Sequence, residues 1–325
     1  MKRNTLILIA STFLLLTSCE VEFSPNADWK EIPVVYCLLD QQDDTTWARV
    51  EKCYLGEGDI YEYSSITDSI NYPQGSIEVS ILVYRNGSQV DSLPFRDTLV
   101  NRPEGNFAHL AQPLWYCPTQ GRLQENCSYR IRVRRTADHS ILAQSTETIS
   151  LVIKQPDDSL IVKPYSSRRF AFKDGHGKCN IEWNPLVNAR LYQPMVRFYY
   201  CVGADTLYTD IACQSVSSPT HAIAYDSSNF FSTLKQRLKD DPREKLYPAI
   251  VDIYILACTE DLNAYIYSIT DAVDIDQARE TYTNIEGGLG VFAARRKHLY
   301  KRMLADDSQA PGGFYRHLKS LGVGF

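Results

Sequence analysis

The chain has 325 residues, enough for two domains of ordinary size, with 44% hydrophobic residues and a formal net charge of −5. The acidic balance argues against nucleic acid as a main partner, because neutralising phosphates needs a basic face. A mean hydropathy of −0.28 excludes a bundle of membrane-spanning helices, and the apolar fraction excludes a disordered chain. Tyrosine leads the aromatics, 21 against 12 Phe and 4 Trp, and nine cysteines leave one over from any complete pairing.

In chain order the first element is a leader. Lys2 and Arg3 precede an apolar run from Leu6 to Leu16, the charged and hydrophobic parts of an export signal. The run is too short to cross a bilayer as a helix, which takes about 20 residues. Leu16-Thr17-Ser18-Cys19 follows. A small residue directly before Cys at the end of such a run resembles the bacterial lipobox. That resemblance implies a signal peptide over 1–18 and fatty acyl chains such as palmitate on Cys19, holding the protein to a membrane without spanning it. An ordinary signal with an incidental Cys is the alternative. Loss of residues 1–18 removes Lys2 and Arg3 and makes the charge two units more negative. Eight cysteines then remain, and an even number in an exported chain favours disulfides. Cys117–Cys127, which would close the polar loop Pro118–Asn126, is the nearest local pair. Buried thiols are the other possibility for some of the eight. No pair has C-x-x-C spacing, which argues against zinc.

Residues 19–31 read as a lipidated tether. From Ile32 the pattern is strand after strand: Pro33–Leu39, Thr45–Leu55, Ile77–Tyr84, an Asn86-Gly87 turn into Gln89–Leu93, and Ile141–Ile149. Tyr129, Ile131 and Val133 alternate with Arg130, Arg132 and Arg134, a half-buried strand with a basic outer side. These predict a β-sandwich over 32–152. Gln155-Pro156-Asp157-Asp158 marks a boundary to a second domain over 158–325. There, strands are predicted at Arg168–Lys173, Cys179–Trp183, Pro194–Val202, Leu207–Val216 and Ile250–Ala257. The spacing of Phe230, Phe231, Leu234 and Leu238 predicts a helix capped by Ser227 or Ser228. Glu260–Ala272, Ile275–Tyr282 and Phe314–Leu321 also read as helical. The fold class expected is mainly β: two immunoglobulin- or fibronectin III-like sandwiches, the C-terminal one decorated with short α-helices.

Resemblances sharpen this. Trp183-Asn184-Pro185 with Leu191-Tyr192 resembles the B–C region of a fibronectin type III domain, where a Trp on strand B packs under a Tyr-bearing strand C. Glu20 and Glu22, close behind Cys19, resemble the surface-export signal of Bacteroidota lipoproteins. Taken with the lipobox, Ile32–Asp40, Tyr54–Gly58, Asn188–Tyr192 and Tyr282–Phe292 resemble one family. It is the Bacteroidota outer-membrane lipoproteins catalogued as domain of unknown function 4249. Cys37, where that pattern has Gly, and the basic stretch beyond Ala294 depart from it. The resemblance implies partnership with a TonB-dependent transporter and carries no catalytic residues. A further likeness is to the O-glycosylation pattern of exported Bacteroidota proteins, Asp followed by Ser or Thr and then an apolar residue or Thr. It occurs at Thr45, Ser69, Ser92, Thr98, Ser159 and Thr206, against about one occurrence by chance. Asp-Ser and Asp-Thr pairs also mark turns entering strands.

Hydrolase elbows, phosphate loops and zinc-protease helices have no counterpart here. Neither catalytic residues nor a metal or cofactor is expected. Asp271, Asp274 and Asp276 read as helix-flanking residues before calcium ligands. The cluster Arg295, Arg296, Lys297, His298, Lys301 and Arg302 reads as the solvated face of a helix, with contact to anionic lipid or a partner as the alternative. Tyr61, Tyr63 and Tyr72, in the long segment Leu55–Pro73, are the candidate contacts for a partner or ligand. The function expected is that of a non-enzymatic, surface-exposed outer-membrane lipoprotein that assists a TonB-dependent barrel by covering it or capturing ligand. The alternatives are a stand-alone glycan- or protein-binding adhesin and an accessory subunit in outer-membrane protein assembly.

Overall fold

The computed structural model describes residues 31–53, 70–101, 111–152, 160–163, 169–170, 172, 177–270, 281–305 and 314–325. Cys19 and the leader expected before it, Asp271, Asp274 and Asp276 lie outside them.

The first half forms β1 (Pro33–Leu39), β2 (Thr45–Lys52), β3 (Ile77–Arg85), β4 (Ser88–Pro94), β5 (Arg96–Asn101), β6 (Ala111–Pro118), β7 (Ser128–Arg135), β8 (Ile141–Ser145) and β9 (Ile149–Ser150). Each long strand buries alternate residues, such as Val35, Cys37 and Leu39 on β1 and Val79, Ile81 and Val83 on β3. One sheet runs β1-β2-β6-β5 and the facing one β8-β7-β3-β4. This is the strand order of an immunoglobulin-class sandwich, in which strands A, B, E and D face G, F, C and C′. The β3–β4 hairpin turns on Asn86 and Gly87 at φ of 51° and 79°, the left-handed pair that a two-residue turn of matching twist requires. Tyr129, fully buried near the start of β7, donates its hydroxyl to the Gln124 carbonyl at 3.0 Å and accepts from the Gln124 amide at 2.5 Å. That is the tyrosine corner of this fold class.

The second half continues with β10 (Leu160–Lys163), β11 (Arg169–Phe170), β12 (Lys178–Trp183), β13 (Leu191–Val202), β14 (Asp205–Ala212), β15 (Val216–Ser217), β16 (Ala222–Asp226), α1 (Ser227–Leu238), β17 (Ile250–Cys258), α2 (Glu260–Thr270), β18 (Ile285–Glu286), β19 (Leu289–Ala305) and α3 (Phe314–Ser320). A three-stranded sheet, β10-β12-β16, is opposed by β14-β13-β17-β19, the A-B-E against C′-C-F-G arrangement of a fibronectin III-like sandwich. Trp183 and Tyr192 meet edge to face at 5.5 Å in its core, as expected of the B–C pair. Phe170, Phe172, Phe198, Phe230 and Phe314 form a ring cluster through which α1 and α3 close the rest of the core. The cap of α1 is Asp226, not Ser227 or Ser228: its carboxylate accepts from the Ser228 amide at 2.8 Å, while Ser227 is buried.

The boundary near 155 does not separate two self-contained domains. β19 is 17 residues long, about 55 Å at ~3.3 Å per residue, and serves both. Leu289–Ala294 pairs in parallel with β1, and Arg295–Leu304 pairs antiparallel with β17. The two sandwiches therefore share one ten-stranded sheet, whose main path is β14-β13-β17-β19-β1-β2-β6-β5. β18 also returns to the first sandwich, pairing with β8. Close approach explains the glycines here. A Cβ on Gly290 would lie 2.0 Å from the Val35 carbonyl oxygen, and one on Gly288 would lie 2.5 Å from that of Pro33. Asn284 clasps the backbone of Phe292 with both ends of its amide, at 2.9 and 2.7 Å. Asn188 reaches across to the Leu151 carbonyl at 2.9 Å. Ile32–Asp40, Asn188–Tyr192 and Tyr282–Phe292 thus meet as the seam between the sandwiches.

Two expectations are corrected. Cys117 on β6 and Cys127, just before β7, are separate buried thiols whose sulfurs face different groups, that of Cys117 the Pro118 carbonyl at 3.8 Å. The Cys127 sulfur faces Asn126 at 3.6 Å and the Arg85 guanidinium at 3.7 Å. The basic cluster 295–302 is strand, not helix: its residues complete the β17–β19 ladder.

Candidate partner-binding face

One side of the ten-stranded sheet is packed against the two cores; the other looks outward. Strand alternation decides which residues it shows. β13 buries Tyr192, Val196 and Phe198 and turns Gln193, Met195, Arg197 and Tyr199 out. Register then lines up Arg197 with Asp210 and Tyr199 with Tyr208 on β14. Tyr254 on β17 and Lys297 on β19 point the same way.

At the β14 end these side chains form one connected cluster. The Arg197 guanidinium donates in bidentate fashion to Asp210 at 2.7 and 2.8 Å and lies 3.9 Å from the centre of the Tyr208 ring and 5.0 Å from that of Tyr254. Lys297 stands 4.7 Å from the same Tyr254 ring and 3.8 Å from Asp210. The hydrogen bonds from Arg197 hold the Asp210 carboxyl below the usual carboxylate range. Tyr199 donates to the buried Asp252 carboxylate at 2.8 Å. Burial is the first cause that pushes the Tyr254 phenol up. The aromatic side chains are thereby held in place, although Tyr208 is 54% exposed.

Farther along the same side, Tyr36 on β1 meets Tyr265 of α2 edge to face at 5.9 Å, and its burial there raises its phenol to about 12. Trp47 on β2, 46% exposed, packs on Tyr116 of β6 at 5.7 Å. α2 crosses the middle of this side. Thr259, just before it, exchanges hydrogen bonds with the backbone of Ala294 at 3.2 Å. Asp261 accepts from Tyr282 at 2.8 Å and Asn284 at 3.0 Å. The helix is thus stapled where β19 passes from one sandwich to the other. Rigid Tyr and Trp with interleaved Arg is the composition of surfaces that bind other macromolecules, since these side chains give large contact area at low entropy cost.

The residues singled out from the sequence lie elsewhere. Tyr61 and Tyr63 fall outside the described residues. Tyr72 is buried, 6% exposed, against the Lys52 ammonium at 5.6 Å, so it serves packing rather than contact. Ser92 on β4 and Thr206 on β14 are exposed, Thr45 on β2 and Thr98 on β5 are half-buried, and Ser69 and Ser159 are outside the described residues. The sequence does carry a signal for the outward side: Arg197-x-Tyr199, Tyr208-x-Asp210 and Arg295-x-Lys297 each alternate at strand period. Reading 295–302 as a helix hid the last of them.

No family model matches the chain, and no curated protein matches it. Among solved structures, a crystal structure of the chicken CNTN1 FN1-FN3 domains is similar. It is 10% identical, with 82% of this chain and 68% of that chain covered and a TM-score of 0.25. The fold assignment rests on the strand order and register above.

Proposed function

We propose that this protein is a non-enzymatic binding protein, anchored by lipid on Cys19 in the outer membrane and exposed at the cell surface. Its partner in this reading is a TonB-dependent transporter barrel, which it covers or supplies with captured ligand. The observation that carries the binding role is the outward side of the ten-stranded sheet, where Arg197, Tyr208, Tyr254, Lys297, Trp47 and Tyr116 stand preset in a broad, shallow surface. The lipobox-like leader and the resemblance to the 4249 lipoproteins supply the address and the partner class. Confinement to the membrane plane raises the effective concentration of the two proteins, so a modest interface suffices.

The test is cross-linking and affinity purification from intact outer membranes, comparing the wild type with an Arg197→Glu/Tyr254→Ala pair. A barrel protein captured by the wild type and depleted at least tenfold with the variant supports the reading. No barrel in either sample, or equal capture by both, rejects it. Glycan binding by the purified protein in the absence of any barrel would turn the assignment to the adhesin.

A further inference from the structure

The outward side carries a second feature that the aromatic cluster does not use. Between α2 and the sheet lies an open pocket of ≈ 260 Å³. Its walls are aliphatic: Leu38, Leu191 and Leu256 from β1, β13 and β17, and Leu262 and Ile266 from α2. The single charged group in its lining is the Arg295 guanidinium, which also lines a neighbouring pocket of ≈ 240 Å³ on the far side. Gln193 and Ser215 are the remaining polar side chains of the first pocket.

Arg295 is loosely held. Its one ion pair within 4.0 Å among the described residues is with Asp43, at 4.0 Å with both side chains well exposed at 44% and 51%, and the largely buried Asp40 carboxyl also feels its charge. Arg49, which lines the neighbouring pocket, is by contrast tied to Glu51 at 2.6 Å. A guanidinium fork matches a carboxylate geometrically, and at this position a ligand carboxylate can take the place of the distant Asp43. An aliphatic slot with one cation at its rim is complementary to a chain that is apolar along its length and anionic at one end. At about 30 Å³ per small group, the slot holds a tail of roughly eight to ten carbons.

We propose that the pocket between α2 and the sheet binds a medium-chain fatty carboxylate, its tail among Leu38, Leu191, Leu256, Leu262 and Ile266 and its head on Arg295. This site is separate from the aromatic cluster and stands whether or not a barrel partner exists.

The experiment is titration calorimetry of the full chain, made as Cys19→Ser so that no acyl chain of its own competes, with decanoate, decanol and decyl phosphate as probes. Saturable decanoate binding about tenfold tighter than decanol is expected. Arg295→Gln should bring the two to equal affinity. Leu256→Trp should abolish both, and Ile266→Trp, on the opposite wall, should do the same if Leu256→Trp fails to fold. Absence of saturable decanoate binding overturns the proposal, as does a Kd that neither Trp substitution changes. Tighter binding of decyl phosphate than of decanoate overturns the choice of carboxylate.

Discussion

Gly290→Ala tests the seam on which the architecture depends. Gly290 sits in β19 opposite Val35 of β1, at φ of 110°, and an added Cβ would meet the Val35 oxygen at 2.0 Å, its carbonyl carbon at 2.8 Å and its nitrogen at 2.9 Å. All three are backbone atoms, so no side chain can rotate away. Carbon–oxygen contacts below 3.0 Å essentially do not occur, and β1 must retreat by about 1 Å. That takes ladder hydrogen bonds near 2.9 Å out of range. Two or three lost bonds at about 1 kcal/mol each, with about 1–2 kcal/mol for a side chain at positive φ, give a loss of about 3–5 kcal/mol. Gly75→Ala is the control: φ is 74° but nothing lies within 4 Å of the added carbon, so only the conformational part, about 1 kcal/mol, is expected. Urea denaturation gives the two stabilities, and hydrogen exchange should show protection lost along Val34–Leu39 in Gly290→Ala alone. If the two variants unfold within about 1 kcal/mol of each other and β1 stays protected, the seam is not what joins the sandwiches.

Three further outcomes are expected. Lys245 is buried and its ammonium donates to the carbonyls of Asp241 at 2.7 Å, Arg243 at 2.8 Å and Val323 at 2.7 Å. Lys245→Met leaves these acceptors unpaired and should cost about 3–5 kcal/mol by urea denaturation, with the C-terminal residues becoming sensitive to carboxypeptidase; a loss under about 1 kcal/mol would contradict this. Tyr129→Phe keeps the buried ring and removes only the corner hydrogen bonds to Gln124, so it should cost about 1–2 kcal/mol in the same assay, and an unchanged midpoint would show the corner to be idle. Asp210 has its carboxyl pKa lowered by Arg197, so its contribution is complete above the unfolded carboxylate range near 4 and disappears as pH falls through the lower folded value. Thermal melts should therefore show Asp210→Asn less stable than wild type at pH 6, the gap closing toward pH 2–3; a gap that stays constant with pH refutes the linkage.

Much of the fold was legible because it is written in local periods. Alternation marked β3 and β7, continuous apolar runs marked β1 and β17, the Asn86-Gly87 pair marked its hairpin, and the Phe230–Leu238 spacing marked α1. The cap of α1, expected at Ser227 or Ser228, is Asp226, since Asp, Ser and Ser in a row all have the chemistry of a cap. β19 was harder. Its inner half, Val291–Ala294, is apolar enough to read as a strand, whereas 295–302 is basic on both sides, and period alone does not tell such a run from an exposed helix. Its partner β17 decides it, by supplying the ladder. The disulfide expectation failed for a similar reason: Cys117 and Cys127 are ten residues apart in sequence, but in the fold their sulfurs face different groups, the Pro118 carbonyl and the Asn126 side chain.

Local pattern alone was enough for the fold class, because it gives strands of the right number and spacing for two sandwiches. The sequence also supplied the stretches that resemble a family, without saying what they do. Three of them find a place only in the folded chain, Tyr54–Gly58 being outside the described residues, because Gly290, Asn284 and Asn188 act on backbone atoms of Val35, Phe292 and Leu151, two of them far away in the chain. The candidate binding surface is likewise tertiary. Arg197, Tyr208, Tyr254, Lys297, Trp47 and Tyr116 come from six different strands, and what makes them one surface is the register of a sheet that runs through both sandwiches.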